Sequence, residues 1–395
     1  MDYIQKGTRD FRKTNLALFA AGLITFANLY STQAVLPEFS KEFHISPAVA
    51  SLSLSLATFA LAISLVIFGS LSESWGRKRL MTLSIVSASV LTLAIAFSPS
   101  FELLLALRVI QGIVFAGLPA IAMAYLGEEV EARSLGVAMG LYISGNSVGG
   151  LAGRIIMGTM TDLFNWQVGM IFLGVLSIVI SICFVVALPN SKHFEPRKLQ
   201  FKALASSLIA HLRDPGMLYL YGIGFTLMAS FVTLYNYISF KLLGPPYSLS
   251  TTIVGWIFII YLVGTFSSTW FGSLADRYGR PKVLIASILI MFTGSLITLD
   301  IHLVLKIVGI TIFTFGFFGA HSIASGWVSR QAKHDRAQAS SLYLFFYYFG
   351  SSIGGTAGGF FWSRFGWSGV ISLIACFLLG AIVLSYCLRR FSVHE

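Results

Sequence analysis

The chain has 395 residues, of which 56% are hydrophobic and 11% charged, and its formal net charge is +11. Soluble domains carry about 25% charged residues, so this composition excludes a soluble protein and predicts one embedded in a membrane. The excess of Lys and Arg lies in short connections between apolar runs, which excludes nucleic acid as the partner. The three cysteines lie in or beside apolar runs at unrelated spacings, which predicts neither a disulfide framework nor a metal site.

Twelve apolar runs follow one another, each long enough to cross about 30 Å of hydrocarbon at about 1.5 Å per helical residue. The predicted spans are 15–37, 48–71, 80–98, 102–126, 135–161, 167–188, 217–240, 250–274, 282–300, 303–328, 337–361 and 367–388. We therefore predict an all-α integral membrane fold with two six-helix bundles, at 1–188 and 216–395. A cytoplasmic linker at 189–215 joins them, and its apolar spacing from Leu199 to Leu212 predicts an amphipathic helix on the membrane surface.

The basic residues predict the orientation of the spans. Twenty-one of the 27 Lys and Arg lie at the two termini or in alternate connections. Three lie on the opposite side, namely Lys41, Lys241 and Arg364. The remaining three lie inside predicted spans, namely Arg108, Arg154 and Lys306. Because cations accumulate in cytoplasmic loops, we predict a multi-pass protein of the cell membrane with both termini in the cytoplasm.

The first and seventh spans carry polar residues within apolar surroundings. Tyr30, Gln33 and Pro37 lie on roughly one face of the first span, which Pro37 is predicted to end. The seventh span contains Asn236 and Tyr237. Equivalent helices of two related halves commonly supply a site near the middle of the membrane, so we predict substrate contacts at Tyr30, Gln33, Asn236 and Tyr237.

A loop pattern after the second span returns after the eighth, 203 positions later. Its members are Gly69, Glu73, Gly76 and Arg77 in the first copy, and Gly272, Asp276, Gly279 and Arg280 in the second. The pattern resembles the cytoplasmic gating-loop signature of the major facilitator superfamily. The resemblance implies a secondary transporter of twelve helices in two pseudo-symmetric bundles, working by alternating access.

The same resemblance assigns roles to the loop residues. It implies that Glu73 contacts the start of the eleventh span, that Asp276 contacts the start of the fifth, and that Arg77 and Arg280 order the turns. We expect a small-molecule substrate, protons and the lipid bilayer as partners, with no cofactor, no nucleic acid and a monomeric protein.

Glycines repeat in the fifth and eleventh spans at a constant offset of 205. They are Gly145, Gly149 and Gly153, and Gly350, Gly354 and Gly358. Small residues every four positions form a smooth face on which another helix packs closely. The first set also resembles the glycine-rich fifth-helix signature of antiporters in the superfamily, with Arg154 at the last glycine of that signature.

Two arginines lie inside predicted spans. Arg108, followed by Gly112, resembles the fourth-helix signature of proton-coupled members. An arginine at that depth costs at least about 2.5 kcal/mol, so Arg108 and Arg154 should face a partner or a wet cavity. Arg108 either couples transport to protons, holds an anionic substrate group, or pairs structurally with Gln111, backbone carbonyls or a carboxylate.

None of the sixteen carboxylates lies at the centre of a predicted span. Three interpretations remain open. A carboxylate near a span end, such as Glu38 or Asp162, reaches the cavity; His321 titrates, since the unperturbed pKa of histidine is about 6.5; or the substrate itself is an anion.

The fourth-helix pattern and the glycine-rich fifth helix most resemble the drug and sugar efflux branch of the superfamily, so the leading functional hypothesis is proton-coupled export of a small molecule. The alternatives are a carrier of an anionic metabolite that uses the Arg108 and Arg154 pair, and a membrane sensor without transport. The sequence contains no nucleotide-binding Gly-x4-Gly-Lys-Ser/Thr pattern, which predicts energy from an ion gradient. It also shows no nucleophile–base constellation, so we do not predict an enzyme.

Overall fold

The computed structural model describes residues 3–194, 196, 201–332, 334–389 and 391. Within these residues the chain is helical almost throughout, and Ile4 and Val130 form an isolated backbone bridge. The helices are α1 Arg9–Tyr30, α2 Leu36–Glu42, α3 Pro47–Trp75, α4 Arg77–Ala96, α5 Phe101–Phe115, α6 Pro119–Glu129, α7 Ala132–Leu163, α8 Trp166–Ala187, α9 Phe201–Arg213, α10 Pro215–Leu243, α11 Thr251–Ile257, α12 Tyr261–Tyr278, α13 Arg280–Ile297, α14 Leu303–Gln331 and α15 Arg336–Leu388. Two 3-10 segments, Ser31–Val35 and Phe258–Ile260, join α1 to α2 and α11 to α12.

These helices account for the twelve predicted spans. Ten helical segments of the described chain are long and apolar enough to cross a membrane. One of them, α15, contains two spans, because Gly366 interrupts its 53 residues with φ 60° and ψ −147°. The remaining span is α7, whose 32 residues are long enough but carry many small and polar side chains. The predicted all-α twelve-span fold is confirmed.

The prediction for Pro37 was wrong. Pro37 does not end the first span but lies in the first turn of α2, which continues to Glu42. Proline is tolerated there, because the first amide groups of a helix have no partner within it. The interruption falls earlier, in the 3-10 segment Ser31–Val35, so the first span is a broken helix.

The chain forms two compact units. Unit 1 comprises Met1–Phe43, Leu56–Leu199 and Ser250–Trp256, and unit 2 comprises His44–Ser55, Gln200–Leu249 and Ile257–Glu395. Each unit therefore contains a short segment, 250–256 or 44–55, that lies in the other half of the sequence.

Glycine faces bring the inner helices of each unit close together. In unit 1, a Cβ on Gly145, Gly149 or Gly153 of α7 would overlap the backbone of α1. In unit 2, a Cβ on Gly350 or Gly354 of α15 would overlap the backbone of α10. Gly358 instead faces the side chains of Thr233 and Tyr237. The two units thus use repeated glycines for the same kind of close packing.

The linker contains α9, which packs within unit 2. The Ser207 hydroxyl donates to Asp335 at 2.6 Å, and the His211 ring stacks on His334 with 4.7 Å between centroids. The Ser207 hydrogen bond, followed by that of His334, lowers the pKa of the Asp335 carboxyl below its usual value. The predicted amphipathic segment began at Leu199, which lies outside the described residues.

Candidate functional site

Arg108 of α5 supports the break in the first span. Its guanidinium is fully buried and donates to the carbonyl oxygens of Asn28 at 3.1 Å and Leu29 at 2.7 Å. The last carbonyls of a helix commonly lack partners within it, and here Arg108 supplies donors to two of them. Arg108 also donates to Gln111 Oε1 at 2.5 Å. The pairing with Gln111 and backbone carbonyls, which was one of the sequence-based interpretations of Arg108, is therefore present.

A polar network extends from Arg108 across four helices of unit 1. Gln111 donates to the Thr92 hydroxyl at 2.8 Å, and that hydroxyl donates to Asn28 Oδ1 at 3.0 Å. Asn28 Nδ2 in turn donates to the Ser177 hydroxyl at 2.8 Å. The network links α1, α4, α5 and α8. Sequence reasoning missed Thr92 and Ser177, since single hydroxyls in apolar helices carry little signal.

Arg154 of α7 lies against the same break from another side. Its Nε and Nη2 both donate to Gln33 Oε1, at 2.7 and 2.5 Å, and its Nη1 donates to the Gly150 carbonyl at 2.5 Å. The guanidinium carbon lies 4.2 Å from the centroid of the Tyr30 ring, within the range of a cation–π contact. Only 1% of Arg154 is exposed.

The structure therefore brings Tyr30, Gln33 and Arg154 together, and Arg108 contacts the two residues that precede Tyr30. The reason lies in the glycine face of α7. Gly153 permits close approach to Ala27 of α1, so the next residue, Arg154, reaches the end of that helix. We name Tyr30, Gln33, Arg108 and Arg154 the arginine cluster.

In unit 2, Asn236 and Tyr237 are fully buried in α10. The Tyr237 hydroxyl donates to the Gly355 carbonyl of α15 at 2.5 Å. On the neighbouring α14, Thr314 shares a hydrogen bond of 2.7 Å with Tyr235. Tyr237 thus helps to join α10 to α15, and Tyr235 joins α10 to α14.

His321 of α14 lies among aromatic side chains. Its Nδ1 is 3.0 Å from the Tyr343 hydroxyl, and its ring centroid lies 4.6 Å from that of Tyr347 and 5.8 Å from that of Phe317. Phe317 stacks on Phe231 of α10 at 3.8 Å. We name His321, Tyr343, Tyr347, Phe317 and Phe231 the histidine–aromatic cluster. Which ring nitrogen of His321 carries a proton decides whether it donates to Tyr343 or accepts from it.

The two gating loops contain glycines that the backbone requires. Gly76 and Gly279 precede α4 and α13 with φ of 93° and 86°, values that side-chain-bearing residues rarely adopt. Gly69 and Gly272 have open space around an added Cβ, so no close contact explains them.

The charged residues of the gating loops make different contacts. Arg77 of unit 1 donates to Glu128 at 2.7 Å through Nη2 and at 3.1 and 3.2 Å through Nε. In unit 2, Asp276 lies 3.3 Å from Arg280 and 3.8 Å from Arg330. The side chain of Glu73 is exposed. The roles predicted for Glu73 and Asp276 at distant span starts remain predictions.

Sequence reasoning also missed the buried carboxylate of Glu129, the neighbour of the Glu128 that contacts Arg77 of the first gating loop. Only 1% of Glu129 is exposed, and it accepts from the backbone amide of His193 at 2.9 Å and lies 3.2 Å from its Nδ1. Tyr3 stacks on the same ring at 4.4 Å. The start of the chain and the start of the linker therefore meet at the end of α6.

Twelve spans, a broken first span and buried polar clusters define a polytopic membrane protein built like a transporter. The chain belongs to the Major Facilitator Superfamily, whose family profile matches residues 18–251 and 231–395.

Known relatives cover most of the chain. The uncharacterized MFS-type transporter YybF of Bacillus subtilis is 56% identical over 99% of this chain and 96% of its own length. The inner membrane transport protein YnfM of Escherichia coli is 44% identical over 98% and 93%. The multi-drug resistance efflux pump PmrA of Streptococcus pneumoniae is 25% identical over 81% of each chain.

Among solved structures, a bacterial homolog of the human lysosomal transporter Spinster, in an inward-facing and occupied conformation, has the same fold. The TM-score is 0.78 at 15% identity, over 97% of this chain and 98% of that one.

Proposed function

We propose that this protein is a secondary active transporter that exports a small molecule in exchange for protons by alternating access. The observation that carries the proposal is the break at Ser31–Val35, held by the buried guanidiniums of Arg108 and Arg154. Discontinuous membrane helices are a recurring way to build substrate and ion sites in transporters. Ionisable side chains within membrane-spanning helices, such as Arg108 on α5 and Arg154 on α7, commonly mark those pathways.

Export is favoured by the sequence features at the same residues. Arg108 lies in the fourth-helix pattern that resembles proton-coupled members, and Arg154 follows a glycine series that resembles antiporters. The similarity to a multi-drug efflux pump points in the same direction, at 25% identity.

For the proton, the candidate we favour is His321. It is hydrogen-bonded to Tyr343 inside α14 and α15, and histidine ordinarily titrates near pH 6.5. Two carboxylates are the other candidates. Glu38 is half-buried in α2, and Asp162 is exposed and accepts from the Thr252 hydroxyl at 2.7 Å.

In this proposal the protein is a monomer in the cell membrane, with both termini in the cytoplasm. The gating loops then lie on the cytoplasmic side, where the contact of Arg77 with Glu128 orders the first loop and that of Arg280 with Asp276 the second. Glu73 and Asp276 contact the eleventh and fifth spans when the cytoplasmic side closes.

The experiment uses purified protein in liposomes that enclose a pH-sensitive dye. Cationic, neutral and anionic compounds are added to the parent, to His321→Gln and to the control Arg133→Gln, whose side chain is exposed on α7. We expect at least one compound to move protons with the parent and the control, and His321→Gln to lose the response. Compound flux without proton movement, or no flux with any compound, would contradict the proposal. An unchanged His321→Gln would move the proton site to a carboxylate.

A further inference from the structure

We propose that the exported substrate carries a carboxylate, and that this group binds the guanidinium of Arg154 by displacing the side-chain amide of Gln33. The inference rests on the proposed transport function and names the substrate class for the arginine cluster.

The first argument is the geometry of the guanidinium fork. Nε and Nη2 of Arg154 point in parallel and both donate to one atom, Gln33 Oε1, at 2.7 and 2.5 Å. A carboxylate offers two oxygens at the spacing of that fork, so each N–H receives its own acceptor. The amide of Gln33 therefore fills with one oxygen a position that is shaped for two.

The second argument is charge. Gln33, the Gly150 carbonyl and the Tyr30 ring all contact the Arg154 guanidinium and are neutral, and the residue is 1% exposed. A charge held away from water interacts strongly with an opposite charge brought beside it. Arg108 adds a second positive charge next to the same turn of α1, so the arginine cluster favours an anion.

The single fork also discriminates between anions. A carboxylate has two oxygens, which match the two N–H groups of the Arg154 fork. A phosphate monoester has three free oxygens, so its third oxygen would need a further donor, and the hydrogen bonds of Arg108 described above are directed to backbone carbonyls and Gln111. The number of donors in the fork therefore favours a carboxylate over a phosphate.

The third argument is the mobility that displacement requires. Gln33 lies in the 3-10 segment Ser31–Val35, whose hydrogen-bond geometry is poorer than that of an α-helix and which within a longer helix often marks a hinge. Separating the Gln33 side chain from Arg154 breaks no backbone hydrogen bond, and Arg154 keeps its hydrogen bond to the Gly150 carbonyl of α7.

The test is ligand binding to the full-length protein, measured by the shift in thermal unfolding and by the quenching of tryptophan fluorescence. Probes come in matched pairs of carboxylate and amide, such as benzoate with benzamide and acetate with acetamide, with inorganic phosphate alongside. The variants are Arg154→Lys, which keeps the charge without the fork, Gln33→Ala, which removes the competing amide, and Arg133→Lys as the exposed control on the same helix.

We expect a carboxylate to bind the parent and the control, and its amide partner not to bind. Arg154→Lys should weaken the carboxylate by at least about tenfold, since hydrogen bonds to charged groups are worth about 1.5–3 kcal/mol. Gln33→Ala should bind the carboxylate more tightly than the parent does. That opposite sign separates displacement from a purely structural contact, because a structural role predicts weaker binding in both variants and the Gln33 variant keeps Arg154 in place.

Equal binding of amides, a preference for phosphate, no binding by any carboxylate, or weaker binding in Gln33→Ala would overturn the inference. The proposed function is judged separately. Proton movement with neutral or cationic compounds alone keeps proton-coupled export and overturns the carboxylate site. Arg154-dependent carboxylate binding without proton movement does the reverse.

Discussion

The α1–α7 pair of unit 1 and the α10–α15 pair of unit 2 use the same packing device for different chemistry. Both pairs rely on glycines spaced four apart and related by an offset of 205. One position after the third glycine they diverge. Unit 1 has Arg154, which faces Gln33 and Tyr30, whereas unit 2 has Gly359, where a Cβ would overlap Ala48.

The surroundings diverge in the same way. The arginine cluster combines two guanidiniums with the amide of Gln33 and the ring of Tyr30, while the histidine–aromatic cluster consists of aromatic rings around one hydrogen-bonded histidine. In both units close packing restricts a position to glycine, but the position that follows meets different surroundings, Gln33 and Tyr30 in unit 1 and Ala48 in unit 2. The comparison teaches that the repeated halves preserve how helices meet and vary what lies beside the contact.

The largest expected effect tests whether the two packing faces are equivalent. Gly149→Leu and Gly354→Leu each force a side chain into the backbone of α1 or α10, so each should destabilise the protein by about 3 kcal/mol or more. Thermal unfolding in detergent and the yield of monodisperse protein measure the loss. Gly140→Leu on exposed, open space of α7 is the control. If one glycine tolerates leucine and the other does not, the packing faces are not equivalent.

The next effect separates the two clusters. Arg108→Leu leaves the Leu29 carbonyl and the Gln111 amide oxygen without their guanidinium donor, while the Asn28 carbonyl keeps the hydrogen bond from the Ser31 hydroxyl. Unsatisfied buried groups cost about 1–3 kcal/mol each. We expect a loss of about 2–4 kcal/mol in the free energy of unfolding. Arg133→Leu, an exposed arginine of α7, should change it little. Equal losses in both variants would show that the network does not support the break.

A smaller effect is expected in the histidine–aromatic cluster. Tyr343→Phe keeps the ring and removes the hydroxyl that lies 3.0 Å from His321 Nδ1. One neutral hydrogen bond contributes about 1 kcal/mol, so the unfolding temperature should fall by less than in Arg108→Leu. Tyr386→Phe, on an exposed ring near the end of α15, is the matched control. A loss as large as that of Arg108→Leu would mean that unit 2 also depends on a polar network.

The smallest effect concerns the linker helix α9. Ser207 and His211 of this helix contact Asp335 and His334, which lie in unit 2 just before α15. Because the Ser207 hydrogen bond lowers the pKa of Asp335, this contact is complete above the ordinary aspartate pKa of about 3.9 and is lost as the pH falls through the lowered value. The protection factor of residues 204–213, which is the intrinsic amide exchange rate at a given pH divided by the observed rate, should therefore fall at acid pH. Ser207→Ala should show the lower protection factor already at neutral pH, and a protection factor that is independent of pH in the parent would contradict the assignment.

The fold was predictable because its determinants are local and repeated. Apolar length gives the spans, and alternating basic loops give their expected orientation. The sequence also drew attention to Arg108 and Arg154, because charge inside apolar runs is costly. It did not predict the break at Ser31–Val35, since that segment contains neither glycine nor proline. The visible proline, Pro37, suggested the wrong end point.

The partners within the site were harder to predict. Thr92, Ser177 and Glu129 acquire their meaning from helices far away in the sequence, and an isolated hydroxyl or a carboxylate at a span end does not indicate its partner. Gln33 was predicted as a substrate contact, but only the three-dimensional arrangement shows that its single oxygen receives two donors from Arg154.

The two short segments that pack outside their own half of the sequence impose an order on biosynthesis. Residues 250–256 emerge after α7 is complete, so Gly255 can settle on Gly158 as soon as it is made. Ala48 at the tip of α3 instead needs Gly359, more than 300 residues later. At a translation rate of about 5–20 residues per second, roughly 15 to 60 s pass between the synthesis of Ala48 and that of Gly359. The contact at the tip of α3 can therefore form only after the eleventh span has been translated.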